Sequence, residues 1–247
     1  MGGRFRGAAG RGHNCPMADH VLPPSSADPP GQPDVPLGVR AQLLATEHWG
    51  LLASRSTTQS EVLTRIAMFL TLTSASLLSL ALVGQASGFS GAFAPFAIAV
   101  FGVVGVVGEL TQMRVFNAGM EDLMYVLAMN RLRGAYAELD PGIERYFMAS
   151  THDDQAGSLQ TYYFFSGRAP GNHVLASSMV FITSVASAVV GLFAASVVSV
   201  FVAGWGLPLV VGIVVGSANF GLGAWFGSRL YAESWKSYRP LFPSPGA

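Results

Sequence analysis

Charge is what this chain has least of. Asp, Glu, Lys and Arg make up 11% of its 247 residues, and hydrophobic residues 51%; an average soluble domain is about 25% charged. A soluble chain of this length could not cover its core with so few charges. The deficit is also local, because no charged residue lies between Arg65 and Glu109, or between Arg168 and Arg229. Cysteine is nearly absent: Cys15 stands alone, which excludes an intramolecular disulfide and any multi-cysteine zinc or iron–sulfur site. There is no sustained basic stretch and the net charge is zero, so no nucleic acid is expected as a partner. Catalytic signatures are missing as well. There is no Walker loop and no HExxH. Gly88-Phe-Ser-Gly is not G-x-S-x-G and has no histidine nearby, and Gly221-Leu-Gly223-Ala lacks the Asp of an intramembrane aspartyl motif. Neither an enzyme nor a cofactor nor a metal centre is expected.

What the chain does have is long apolar stretches. A bilayer core of roughly 30 Å needs about 20 helical residues, with about 17 the lower limit. Four segments answer to that: Ile66–Val83, Phe93–Gly108, a third within Val174–Ala203, and Leu209–Ser228. The expected fold class is therefore all-α: a polytopic membrane protein with four transmembrane helices in two hairpins and a helical cytoplasmic segment between them. The reading divides the chain into a disordered, proline-rich arm (1–36), a juxtamembrane helical segment (37–65), a first hairpin (66–108), the cytoplasmic helical segment (109–168), a second hairpin (169–228) and a tail (229–247). Both hairpin turns are uncharged, and every Lys and Arg falls in the other segments. The positive-inside rule then places both termini and the middle segment in the cytoplasm of a cell-membrane protein. Trp225, Tyr231, Trp235 and Tyr238 would form an inner aromatic belt and Trp205 an outer one. The polar, proline-rich stretch Gly12–Pro36 is no secretory signal core, and Arg6 stands where myristoylation needs Ser or Thr, so the first span is expected to serve as an uncleaved insertion signal.

Finer signals concern helix ends. Thr58-Gln-Ser-Glu61 matches a capping box and predicts a helix start there. Met113, Phe116, Met120, Leu123 and Leu127 form a heptad-type stripe, and no proline intervenes between Pro95 and Pro141, so the second span should run on to about Leu139. Asp140-Pro141 should restart a helix, Thr151 should cap another from His152 to about Phe165, and Ser166–Gly171 should form the hinge into the third span. Together His48-Trp49-Gly-Leu-Leu-Ala-Ser-Arg55-Ser56, Asn130-Arg131-x-Arg133-x-x-Tyr136, Tyr146-Phe147 and His152-Asp153-Asp154 resemble a set of uncharacterised bacterial four-span membrane proteins, over about residues 46–200. The resemblance implies the four-span topology and brings no activity with it.

Within the apolar segments, Gly212, Gly216, Asn219, Gly223 and Gly227 are spaced 4, 3, 4 and 4 and share one helix face. Such a face suits either close helix packing, with Asn219 bonded across it, or a subunit interface or pore lining with Asn219 facing water. Gly102, Gly105 and Gly108 in the second span, and Ser177, Ser184, Ala188, Gly191 and Ala195 in the third, add further small-residue stripes. Glu109 marks the inner end of the second span; repeated in an oligomer, it would ring an inner mouth as in cation channels. His152-Asp153-Asp154 is the densest set of metal-ligand residue types, but consecutive helical residues do not share a face, and acids in a first helical turn complement the helix dipole. Arg131 and Arg133 with Glu138, Asp140 and Glu144 read as a solvated helix face or, alternatively, as a seat for a nucleotide or anionic lipid headgroup. The functional expectation is a homo-oligomeric membrane assembly in the lipid bilayer, an ion-permeable channel or pore gated by its cytoplasmic helices. The alternative is a membrane-anchored scaffold or signalling partner whose helices bind a cytoplasmic protein.

Overall fold

In the computed structural model, which describes residues 35–163 and 177–246, every regular element is helical. The expected arm up to residue 34, the Ser166–Gly171 hinge and the first residues of the third apolar segment lie outside the described residues. The elements are α1 (Leu37–Ser87), α2 (Phe93–Leu139), a 3-10 turn (Pro141–Tyr146), α3 (Gln155–Tyr162), α4 (Ser178–Ser199) and α5 (Gly206–Ser237). α1, α2, α4 and α5 are each long and apolar enough to cross a membrane, the make-up of a multi-pass membrane protein.

α1 has 51 residues and α2 has 47, so at 1.5 Å per residue each is about 70–75 Å long, more than twice the thickness of a hydrocarbon core. Each therefore has an apolar half and a polar half. α2 ends at Leu139, where the uninterrupted sequence predicted. The helix start predicted at Thr58 is not there: α1 runs through without a break. The Glu61 carboxylate is drawn away from capping by Arg114 of α2 and by Arg65. Tertiary ion pairing has overridden a local capping signal.

α1 and α2 pack antiparallel. Arg55 meets Asp122, Glu61 meets Arg114, and the Phe69 ring lies over Gly108. The connection is tighter than the expected Gly84–Gly91, because α1 continues to Ser87. Gly88, Phe89 and Gly91 all take positive φ, and the Phe89 amide donates to the Gly84 carbonyl. Left-handed backbone at a phenylalanine is costly. Its ring offsets the cost by folding onto Gly84, where no side chain stands in the way, and by packing edge-on against Phe93.

α2 is the central helix and carries more buried residues than any other helix. Its buried face is broader than the predicted stripe: Phe116, Leu123 and Leu127 are buried as expected, Met113 is exposed, and Val115, Ala118, Val126 and Met129 join them because α1, α4 and α3 cover different sides. Val62, Ile66, Phe69, Val104, Val115, Ala118, Ile182 and Val189 form one apolar core between α1, α2 and α4. Hydroxyls in the apolar halves are satisfied within their own helices: Thr71, Thr73, Ser74 and Ser79 each donate to the carbonyl four residues back, as lipid-exposed polar groups must.

Four further boundaries depart from expectation. The third apolar helix is 22 residues long, about one crossing, and Ser177 caps it by accepting from the Val180 amide. α5 begins at Gly206 inside the expected Gly204–Pro208 turn; Pro208 sits in its first turn, where a missing N–H leaves no bond unmade. The predicted helix from His152 to Phe165 is instead α3, capped by Asp154 through the Gly157 amide, while Thr151 donates to Glu144. Asp140-Pro141 starts a 3-10 turn in place of an α-helix, with Asp140 accepting from the Gly142 amide.

Candidate functional site

The small-residue face of α5 is met from two sides. α4 runs antiparallel to it at very close range: a Cβ built on Gly191 would lie 2.6 Å from the Gly212 carbonyl oxygen, and one on Gly216 would lie 3.0 Å from the Ser187 carbonyl oxygen. Only glycine allows two backbones to approach so closely. α2 lies alongside α5 in the same direction. Asn219 meets Glu109, Gly223 meets Gln112, Gly227 faces the Phe116 ring, and Ser234 donates to the Met120 sulfur. Gly212, Gly216, Asn219, Gly223 and Gly227 are thus all spent on contacts within one chain. Beside them a shallow groove remains between α4 and α5, bordered by Ser184, Ala188, Gly191, Leu209 and Gly212.

Two residues picked out separately from the sequence come together here. The Asn219 side-chain amide donates to Glu109 Oε1 at 2.8 Å and to Ser187 Oγ at 3.2 Å. One turn further along α2 is Gln112, only 4% exposed. Its Nε2 end is packed over Gly223, where a Cβ would be 2.5 Å away, and its Oε1 is buried without a hydrogen-bond partner. Thr183 of α4 closes this layer, its methyl against Gly223 and its hydroxyl donated to the Met179 carbonyl. The arrangement is a two-layer polar cluster inside an apolar bundle: Glu109, Asn219 and Ser187 in one layer, Gln112 and Thr183 in the next. Oxygen acceptors outnumber the N–H groups offered to them, so the cluster suits a cation or a mobile proton better than an anion. Gln112 and Ser187 were not picked out from the sequence, though Gln112 follows Glu109 by three residues and Ser187 precedes Gly191 by four, so each shares a face with a residue that was.

The polar halves of α1 and α2, with the 3-10 turn, α3 and the residues after α5, form a second region held quite differently. Arg55 makes a two-pronged bond to Asp122, which also accepts from Gln59 and Tyr162. Burial raises the Asp122 carboxyl, and the bonds from Arg55 and Tyr162 more than reverse this, so it titrates below its usual range. Arg114 bridges Glu61 and Glu121. Asn130 is fully buried with both ends of its amide used: it donates to the His152 and Gly157 carbonyls and accepts from Arg133 and Thr161.

His152-Asp153-Asp154 turns out to be a latch for the residues that follow α5. Asp153 is completely buried; it accepts from the Leu241 and Phe242 amides, the Tyr238 hydroxyl and Arg131 Nε. Its own amide donates to the Phe242 carbonyl. Asp154 accepts from the Ser244 amide and hydroxyl as well as capping α3. Burial pushes both carboxyls up, but these donors outweigh it and hold both below the ordinary carboxylate range. Tyr238, expected in an aromatic belt, is drawn into this latch, while Tyr231 and Trp235 pack edge-on beside it. Arg131 belongs to the latch, and Arg133, half-buried, has no carboxylate partner among the described residues, which corrects the expected solvated face of paired charges. No group of three metal-ligating side chains occurs among the described residues.

Compared with protein-family models, curated proteins and solved structures, the chain matches none.

Proposed function

We propose that the chain is a homo-oligomeric, cation-permeable membrane assembly. α1 with α2 and α4 with α5 form two transmembrane hairpins in the cell membrane, with both termini and the segment between the hairpins in the cytoplasm. The observation that carries this reading is the polar cluster around Glu109. A carboxylate set among apolar helices is costly unless it is used, and this one has an amide on one oxygen and, one turn away, an unpartnered Gln112 carbonyl. Permeation requires several copies, each contributing Glu109 near the inner mouth. Because the glycine face is consumed within the chain, copies meet through other surfaces. α5 and α1 are the outermost helices, and the groove beside Gly212 is open to a neighbour. α1 and α2 run unbroken from the bilayer into the ion-paired region, so a displacement there is carried directly to the spans. No catalysis is assigned.

The test pairs oligomeric state in detergent with cation flux into reconstituted liposomes. The expected result is an oligomer whose flux drops strongly in Glu109→Gln while its unfolding temperature holds; a strict monomer, or full flux in the variant, overturns the reading. A second reading, a membrane-anchored scaffold, draws support from Leu43, Trp49 and Leu52, large apolar side chains left exposed on the polar half of α1. Absence of flux together with capture of a cytoplasmic protein that is lost in Trp49→Ala would favour it.

A further inference from the structure

Away from the apolar bundle, and beyond the Arg114 bridge to Glu61 and Glu121, the outer stretch of the contact between the polar halves of α1 and α2 holds more cationic groups than carboxylates. The two helices run antiparallel there, with Arg55 against Asp122 and the His48 ring 6.2 Å from the Tyr136 ring. Arg133 precedes Tyr136 by three residues and so shares its face. It therefore lies between the levels of His48 and Arg55 on the opposite helix. Three groups able to carry positive charge meet a single carboxylate. That carboxylate, Asp122, is already occupied by Arg55, Gln59 and Tyr162.

Arg133 is the group left over. It forms no ion pair among the described residues, and its hydrogen bond goes to a neutral acceptor, Asn130 Oδ1, at 2.8 Å. A guanidinium has five N–H donors, so most of its donors are free. His48 is in the same position: its Nδ1 is buried and has no hydrogen-bond partner. Desolvation, and then the charge of Arg55, make Arg133 easier to deprotonate; burial, and then Arg133, do the same to His48. Cationic groups brought together and partly dried cost free energy unless an anion joins them.

We propose that His48 and Arg133, with Arg55 behind them, form a binding site for the phosphate-type oxyanion of a small soluble molecule. The guanidinium fork matches two oxygens of such a group. Donors reaching it from two different helices suit a tetrahedral anion better than a planar carboxylate. The source is soluble because His48 precedes Ile66, the start of the first apolar span, by 18 residues. That is about 27 Å of helix, well beyond a headgroup layer of roughly 5–8 Å. The site is independent of the Glu109 cluster and of any flux through it.

The experiment is calorimetric titration of the full-length protein in neutral detergent micelles with inorganic phosphate. A second arm adds short-chain phosphatidylglycerol to the same micelles. The expected result is saturable phosphate binding to the wild type and a shift of the His48 imidazole nitrogen resonances on addition. Arg133→Gln and His48→Gln should each weaken binding by about tenfold or more. Arg133→Lys should retain part of it, and Arg229→Gln, on an exposed pair elsewhere, should bind as the wild type does. No saturable binding, binding to the lipid alone, or unchanged affinity in either glutamine variant overturns the proposal. If Arg133→Gln does not fold, His48→Gln decides by the same criterion.

Discussion

The two halves of this molecule are held by opposite means. In the apolar half almost nothing is charged, and cohesion comes from backbones allowed to touch, Gly191 against Gly212 and Gly216 against Ser187. In the polar half backbones also close up on glycine, at Gly134 against Thr151 and Gly157 against His152, but there carboxylates also gather amides, guanidinium groups and hydroxyls from segments far apart in sequence. The difference follows from the surroundings of each half. Between apolar surroundings and an apolar helix there is no hydrophobic gain in association, so fit and a few polar bonds must supply it. Where water competes, an exposed ion pair is worth little, and the bonds that count are those removed from solvent.

The comparison can be broken most visibly at Asp153. Asp153→Ala removes a buried acceptor from two backbone amides, a tyrosine and an arginine, and should cost about 3 kcal/mol, read by thermal unfolding in detergent. The amides of Leu241, Phe242 and Ser244 should lose protection from hydrogen exchange at the same time. Acid should do this without mutation. Since the Asp153 and Asp154 carboxyls titrate below the usual range in the folded chain, their contribution is complete above the unfolded value of about 3.9 and is lost as pH falls through the folded values. Protection of those amides should therefore hold from neutral pH to about 4, weaken below it, and vanish as pH falls through the lowered folded values.

Next in size is the glycine contact. Gly216→Leu drives a side chain into the Ser187 carbonyl and should cost about 1–3 kcal/mol, whereas Ala224→Leu on the exposed face should be nearly silent in the same unfolding assay. Equal effects would mean that the α4–α5 contact is not what holds this half together. Asn219→Leu comes third, at about 0.6 and up to 2 kcal/mol, because polar bonds between apolar helices are individually modest. If flux falls far more than this loss explains, the amide acts on the permeating ion through Glu109. The smallest effect belongs to Arg229→Gln: both members of its pair are exposed, and no change in unfolding temperature is expected.

The apolar half was largely legible in the sequence. Charge-free runs gave the four long helices, and the unbroken stretch after Pro95 gave α2 its full length. Glycine spacing gave the α5 face, but not its neighbours: that Asn219 meets Glu109, 110 residues away, depends on how the helices are arranged, which no local pattern encodes. The polar half was less legible for a definite reason. Two of the four donors to Asp153 are the backbone amides of Leu241 and Phe242, and backbone donors leave no trace in residue type. Thr58-Gln-Ser-Glu61 misled for the converse reason: a good capping pattern was outcompeted by Arg114, a partner 53 residues away.

The latch also imposes an order in time. Asp153 is synthesised some 85 to 89 residues before the Tyr238, Leu241 and Phe242 groups that will satisfy it, and α4 and α5 are made in between. During that interval its carboxylate has only Arg131 to bind, and the pocket it will occupy stands open. The polar half is therefore unfinished until α5 has been made and the residues after it have packed against Asp153. A chain in which α5 fails to reach that position would leave the Asp153 and Asp154 carboxylates uncovered.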